Sequence, residues 1–335
     1  MKTTVIAEAG VNHNGSMEIA EKLVFAAKTS GADIVKFQTF SAKTLVTQSA
    51  PKAQYQINSK FQSETQFQML KKLELSEKMH LELIRLCNRI NIKFLSTAFD
   101  QDSVDLLRKL GQTTFKIPSG EITNLPLIRH IAKNAENLIL STGASTLLEI
   151  EQALDVIYKS GLSKEYVTVL HCTSAYPTPL EDVNLSAMQE ISRKFEIKVG
   201  YSDHTLGTEV SIIAAALGAS IIEKHFTMNR NFDGPDHKAS LEPDELESMI
   251  KAIRNIEKIV GTGIKKIMPS EKNNLHIIRK SIVAKIPIAA GEVFTDKNLT
   301  TKRPGSGVSP MYWDSILGNS SRNNYDIDEM IKDEL

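Results

Sequence analysis

Lys36 and Lys116 each interrupt an otherwise apolar run, DIVKFQ (33–38) and TFKIPS (114–119). An unpaired ammonium is costly to bury, so each must pair with a carboxylate such as Glu8 or face an anion. Ser119 and Ser141 add hydroxyl and backbone donors suited to holding a phosphate. A Schiff base on Lys36 is the alternative, but two lysines flanked by small hydroxyl residues suit anion binding better than a lone desolvated nucleophile. His204 and His225 fall at the ends of two later runs, IKVGYS (197–202) and SIIEKH (220–225). Two imidazoles on neighbouring strand ends predict open coordination of Mn²⁺, Mg²⁺ or Co²⁺ rather than a closed zinc site. Cys172, beside His171, is expected to be a small buried hydrophobe and not a zinc ligand. Glu8, Glu121 and Asp236 are candidates for proton transfer, water positioning or hydroxyl binding, with Asp203 orienting a histidine or a turn. A phosphate site, a divalent ion and carboxylates together describe a phosphorylated substrate activated for carbon–carbon or phosphoryl chemistry.

Something must bring these scattered residues together, and the pattern of the chain supplies it. Short β-branched runs occur at TTVIAE (3–8), DIVKFQ, IKFLST (92–97), TFKIPS, LILST (138–142), VTVLHC (167–172), IKVGYS and SIIEKH. They are nearly continuous rather than alternating, as in parallel strands covered on both faces. Amphipathic helices lie between them. Residues 16–29 align Ile19, Leu23 and Ala26, and 146–159 opens with the capping box Thr146-x-x-Glu149. The alternation predicts a (β/α)8 TIM barrel over residues 1–262, with chemistry at the carboxyl ends of its strands. Nearly every predicted strand end carries a reactive side chain: Glu8 followed by Asn12 and His13; Lys36 and Gln38; Ser96 and Thr97; Lys116, Ser119 and Glu121; Ser141 and Thr142; His171, Thr173 and Tyr176; Ser202, Asp203 and His204; Lys224 and His225. This convergence says more than any one residue in it. The polar excursion at about 40–75 reads as a loop with short helices, a candidate lid.

The pattern changes near residue 260. Residues 263–277 are expected to form a linker, lacking hydrophobic periodicity and carrying Gly, Pro and Lys nearby. Residues 278–335 read as a small, mainly β domain with strands at SIVAKI and VFT, a turn at 303–307 and a short helix near 309–317. About 60 residues are marginal for independent stability, so this domain is expected to dock on something.

Forty basic residues balance forty acidic ones, which predicts no nucleic-acid or membrane-binding surface. No run of 18 or more apolar residues is present. The N-terminus lacks an adequate apolar core before Glu8, and the two cysteines, Cys87 and Cys172, suit a reducing compartment. A cytoplasmic location is therefore expected. The terminal Lys-Asp-Glu-Leu is read as coincidence, since without a signal peptide that retention address would not be used.

At these residues the chain resembles the sialic acid synthase family, which includes N-acetylneuraminate, legionaminate and pseudaminate synthases. The resemblance runs in order through IAEAGVNHNG, VKFQTF, FLSTAFD, KIPSGEITNLP, LSTGAS, LHCTSAYPTP, GYSDHT, IEKHFT and GPDHKASLEP. The tail from RKSIVAKIPIAAGE to KRPGSGVSP resembles the antifreeze-like (SAF, β-clip) domain of those enzymes. The resemblance implies condensation of phosphoenolpyruvate with the open-chain aldehyde of an N-acyl amino sugar, followed by water addition and loss of phosphate by C–O cleavage. The acceptor would be N-acetylmannosamine or 2,4-diacetamido-2,4,6-trideoxymannose. It assigns Lys36, Thr97, Lys116, Ser119, Ser141 and Ser202 to phosphoenolpyruvate, and His204 and His225 to the metal, Mn²⁺ first. Glu8 and Glu121, with Lys36 and Lys116, would be catalytic, and Gln38, Tyr176, Asp236 and Arg303 would meet the sugar. Arg303 would enter the partner's barrel in a domain-swapped homodimer. Two alternatives are a barrel making a phosphorylated seven- or eight-carbon keto acid and a non-catalytic glycan- or ice-binding module. The first would need extra cations for a second phosphate, and no surplus arginines stand at the strand ends.

Overall fold

The computed structural model describes residues 2–53, 56 and 64–332. Part of the 40–75 excursion and the last three residues of the retention-like terminus therefore lie outside the described residues. The chain divides into two compact units, Met1–Gly261 and Thr262–Leu335.

In the first unit eight parallel strands run β1 (Thr4–Gly10), β2 (Ile34–Thr39), β3 (Lys93–Ala98), β4 (Thr114–Ile117), β5 (Asn137–Ser141), β6 (Val167–His171), β7 (Lys198–Asp203) and β8 (Ile221–His225). Their order is β3-β2-β1-β8-β7-β6-β5-β4, the sequential order of a barrel. Its two ends, β3 and β4, adjoin. There the Gln112 carboxamide accepts from the Ser96 N–H (2.8 Å) and donates to the Ser96 carbonyl (2.9 Å). The helices form as their capping residues dictate. Ser16 accepts from the Ile19 N–H to start Met17–Thr29, and the Thr146/Glu149 capping box starts Leu147–Lys159. Each buries one stripe against the strands, Leu23 and Ala27 on the first and Ile150, Leu154 and Ile157 on the second.

The strand interiors separate floor from site. Ile6, Leu95, Ile139 and Leu170 pack together inside the barrel, with Ile34 and Ile221 against them. Side chains two residues apart share a strand face, so the layer above this floor holds Glu8, Lys36, Thr97, Ser141, Cys172 and Glu223. The aliphatic layer closes the barrel from below and makes its mouth a dead end.

In the second unit β9 (Ser281–Ala284) pairs antiparallel with β10 (Leu299–Lys302) around a core that includes Ile282, Ile288, Phe294, Leu299, Ile316 and Tyr325. The expected strand at VFT reduces to a single bridge between Val293 and Ser320. Within the expected linker, 263–277, and running into the first residue of the small domain, helical turns form at Pro269–Asn274 and Leu275–Ile278. Pro269 suits the first turn, and the Glu271 carboxylate accepts from the Met268 N–H at 2.7 Å. Local capping thus builds helix where no hydrophobic period signals one.

Candidate active site

A cavity of about 430 Å³ opens at the carboxyl ends of the strands. The barrel residues that the family resemblance assigns to the site line it: Glu8, Lys36, Gln38, Thr97, Lys116, Ser119, Glu121, Ser141, Tyr176, Ser202, His204, His225 and Asp236. Glu223, which sequence reasoning passed over, lines it too.

Glu223 is the hinge of the electrostatics. Its Oε1 lies 2.5 Å from Lys116 Nζ and 3.6 Å from Lys36 Nζ, and accepts from Ser202 Oγ at 3.3 Å. Lys36 also meets Glu8 Oε2 at 2.8 Å and donates to Thr97 Oγ1 at 2.9 Å. All four ionisable groups are buried, and their environments divide the protons unequally. Burial pushes the Glu8 carboxyl up to about 7, with Lys36 opposing and Glu223 adding to the rise. Burial pushes Glu223 the same way, but Lys116 and Lys36 overcome it and hold that carboxyl down at about 2. Burial lowers the Lys116 pKa, whereas for Lys36 it is outweighed by Glu223 and Glu8, which raise it. Glu8 is therefore the carboxyl that can carry a proton near neutrality, and Glu223 stays ionised. Glu8 Oε2 is paired with Lys36, whereas Glu223 Oε2 and Ser141 Oγ are buried without hydrogen-bond partners among the described residues. Buried polar atoms are rarely left so, and these face the space a substrate would fill.

Around this core Ser119 Oγ accepts from the Gly143 N–H at 2.9 Å and lies 3.2 Å from Cys172 Sγ. A Cβ at Gly143 would collide with Ser174 Oγ, so only glycine brings this N–H to Ser119. Gln38 donates to Glu8 Oε1 at 3.2 Å, and Glu121 accepts from Asn124 at 2.6 Å on the half-buried rim.

The rings of His204 and His225 lie 5.7 Å apart between centroids. Nitrogens about 2.1 Å from a shared ion allow centroids up to roughly 6.5 Å apart, so the spacing admits one ion between them. His204 Nδ1 is 2.7 Å from the Thr173 carbonyl, which can only accept. The proton is thus on Nδ1, and Nε2 offers its lone pair. Burial lowers His204 to about 4 and His225 well below the usual imidazole range, so both rings are neutral, the form that ligates metal. His225 Nδ1 is buried with no hydrogen-bond partner among the described residues and is 3.8 Å from Asp236 Oδ2. These residues fit an ion with open positions. No group of three or more His, Cys, Asp or Glu among the described residues is placed to hold a metal ion, so an ion here would have the two imidazoles and otherwise water or substrate oxygens. Tyr176 stacks 4.1 Å from the His204 ring, and burial pushes Asp236 up to about 6. The Asp236 loop is tied to the loop after β1, where Asn14 Nδ2 donates to the Asp233 carbonyl and Asn14 Oδ1 meets His237 Nε2.

Several strand-end residues face elsewhere. His171 turns outward to the Val183 carbonyl, and Ser96 joins Thr39 and His80. Thr173 Oγ1 bonds to the Asp182 carbonyl, and Asn12 bonds to Phe226 and Ser240. Lys224, grouped with His225 from sequence, pairs with Asp203 on the opposite strand face. The missed signal was period two: if His225 faces the mouth, so must Glu223, and Lys224 cannot. Arg303 belongs to the second unit, where its Nε donates to the Ile278 carbonyl at 3.1 Å.

Residues 23–265 match the NeuB family and residues 279–334 the SAF domain, and the chain belongs to the NeuB family. It is 53% identical to the N,N'-diacetyllegionaminic acid synthase of Campylobacter jejuni, over 99% of both chains. It is 47% identical to the enzyme of the same name from Legionella pneumophila, over 95% of this chain and 90% of that one. The crystal structure of N-acetylneuraminic acid synthetase from Leptospira borgpetersenii, in complex with citrate, superposes with a TM-score of 0.72 at 33% identity, covering 82% of this chain and 90% of that one. No helix among the described residues is long and apolar enough to cross a membrane.

Proposed function

We propose that this chain condenses phosphoenolpyruvate with 2,4-diacetamido-2,4,6-trideoxymannose and water, giving N,N'-diacetyllegionaminate and phosphate. The observation that carries the reading is the convergence of Lys36 and Lys116 on Glu223 in a dead-end cavity that also holds two neutral imidazoles. The near-full-length likeness to two legionaminic acid synthases favours this acceptor over N-acetylmannosamine.

Lys36 and Lys116 hold the phosphate and carboxylate of phosphoenolpyruvate, helped by the hydroxyls of Thr97, Ser119, Ser141 and Ser202. A divalent cation, Mn²⁺ in this proposal, held by His204 and His225, would supply Lewis-acid polarisation of the sugar aldehyde. The methylene carbon of phosphoenolpyruvate bonds to the aldehyde carbon, and the aldehyde oxygen takes up a proton. Glu8, held protonated near neutrality, is the group suited to give it. Water then adds to the electron-poor carbon that bears the phosphate. Glu8, ionised once it has given up its proton, is suited to accept the one water loses, while Glu223, held down at about 2, stays paired with the two lysines. The new hydroxyl then gives up its proton to the departing phosphate as the C–O bond breaks, leaving the carbonyl of the keto acid and inorganic phosphate. Gln38, Glu121, Tyr176 and Asp236 line the cavity and orient the acceptor. The reading includes a cytoplasmic homodimer in which Arg303 from a second copy completes each sugar site. Truncation at residue 277 would then abolish turnover, and an active truncated monomer on light scattering would refute that part.

The decisive assay is phosphate release from phosphoenolpyruvate and Mn²⁺ with each sugar. The diacetamido sugar is expected to exceed N-acetylmannosamine by at least tenfold in kcat/KM, about the discrimination one methyl-sized contact can give. Phosphoenolpyruvate left unconsumed with both sugars would refute the proposal.

A further inference from the structure

Behind the cavity, on the faces of β7 and β8 turned toward the helices, lies a second set of buried charges. Asp203 and Lys224 are register partners on adjacent strands. Lys224 Nζ meets Asp203 Oδ2 at 2.9 Å with both side chains 0% exposed. Nothing in the proposed reaction uses them, and a buried ion pair is poor evidence of stabilisation, because an apolar pair of similar volume often serves as well or better.

Their remaining bonds indicate what they do. Lys224 Nζ also donates to the Thr205 carbonyl at 2.6 Å. Asp203 Oδ1 accepts from both the N–H (2.9 Å) and the Oγ1 (2.8 Å) of Thr205, while Oδ2 accepts from Ser211 at 2.6 Å. His204 stands between Asp203 and Thr205, and Lys224 stands between Glu223 and His225. The network therefore grips the backbone on both sides of one imidazole and locks it to the residue beside the other. We propose that Asp203 and Lys224 are positioning residues that fix His204 and His225 relative to each other for a single divalent cation. This rests on the metal reading of those two histidines given above.

The double variant Asp203→Asn/Lys224→Met removes both charges and leaves neither partner buried alone. The test compares it with the full-length wild-type protein for Mn²⁺ affinity by calorimetry and for the visible spectrum of bound Co²⁺, which reports ligand geometry. Supporting shells of this kind typically change metal affinity by 10–100-fold. The double variant is expected to bind Mn²⁺ that much more weakly with an altered Co²⁺ spectrum, while its melting temperature stays within a few degrees of wild type. Thr205→Val, which keeps the ion pair and removes one bond beside His204, is expected to weaken Mn²⁺ binding in the same direction and decides the matter if the double variant does not fold. Unchanged Mn²⁺ affinity and Co²⁺ spectrum in a folded variant would make the pair purely structural and overturn the proposal. A wild-type protein whose Mn²⁺ binding is absent, or survives His204→Ala, would overturn the metal reading itself and this inference with it.

Discussion

Two groups of buried charge share strand β8 and lie on its opposite faces. At the mouth, the cluster of Glu8, Lys36, Lys116 and Glu223 leaves Glu223 Oε2 without a hydrogen-bond partner among the described residues, and the neighbouring Ser141 Oγ and His225 Nδ1 also lack one. Behind it, Asp203 and Lys224 share their bonds with Thr205 and Ser211, and no side-chain atom of the four is left unpartnered. Desolvated polar groups are costly unless satisfied, so the difference marks what each group is for. The satisfied network holds backbone in place, and the unsatisfied one suits the ligand-binding role proposed for the mouth.

The comparison breaks first on activity. Lys116→Ala removes the closest cation to Glu223, and loss of such a preorganised charge is expected to lower kcat/KM for phosphoenolpyruvate by about 10³-fold or more. Near-normal steady-state rates would return the mouth cluster to a structural role. Stability tests the other side. Lys224→Met alone leaves Asp203 buried without its cation, which is expected to cost about 3–5 kcal/mol in urea denaturation. Lys36→Met should cost clearly less, because Glu8 takes up a proton below about 7 and sheds its charge. Equal losses would erase the distinction between the clusters.

A pH series sharpens the point. The Glu8 pKa is raised in the folded protein, so its contribution is fully present below the unfolded value of 4.5 and is lost as pH rises through about 7. Between pH 4.5 and pH 7.5 wild type should lose stability relative to Glu8→Gln by an amount on the order of 3 kcal/mol. Parallel stability profiles would show that Glu8 is not the proton carrier. The smallest effect is expected far from both clusters, where Thr146→Ala removes one capping bond from the helix Leu147–Lys159 and costs about 1 kcal/mol, read as a small fall in melting temperature.

The barrel was legible because its strands are apolar runs of the right length and its helices carry their own caps. TTVIAE became Thr4–Gly10 and SIIEKH became Ile221–His225. Lys36 and Lys116 stood out because an ammonium within an apolar run needs a reason. Glu223 did not, because Lys224 and His225 read together as the reactive end of its strand. Only strand alternation assigns Glu223 to the cavity and Lys224 to the helix layer. The proton on His204 Nδ1 was likewise beyond sequence, since it depends on the carbonyl of Thr173, 31 residues earlier. The turns at 269–278 escaped because capping without hydrophobic period gives a weak signal.

The seam at Gln112 has a consequence for the whole ring of strands. A primary amide offers one giver and one taker of hydrogen in a plane, much as a peptide unit does, so this single side chain stands in for a rung of the ladder between β3 and β4. Glutamate there would keep the oxygen and forfeit the nitrogen, and the carbonyl of Ser96, one residue before the threonine that steadies Lys36, would lose its tether. The cylinder is thus drawn tight by a replaceable clasp, and loosening it would reach the reaction chamber through the wall.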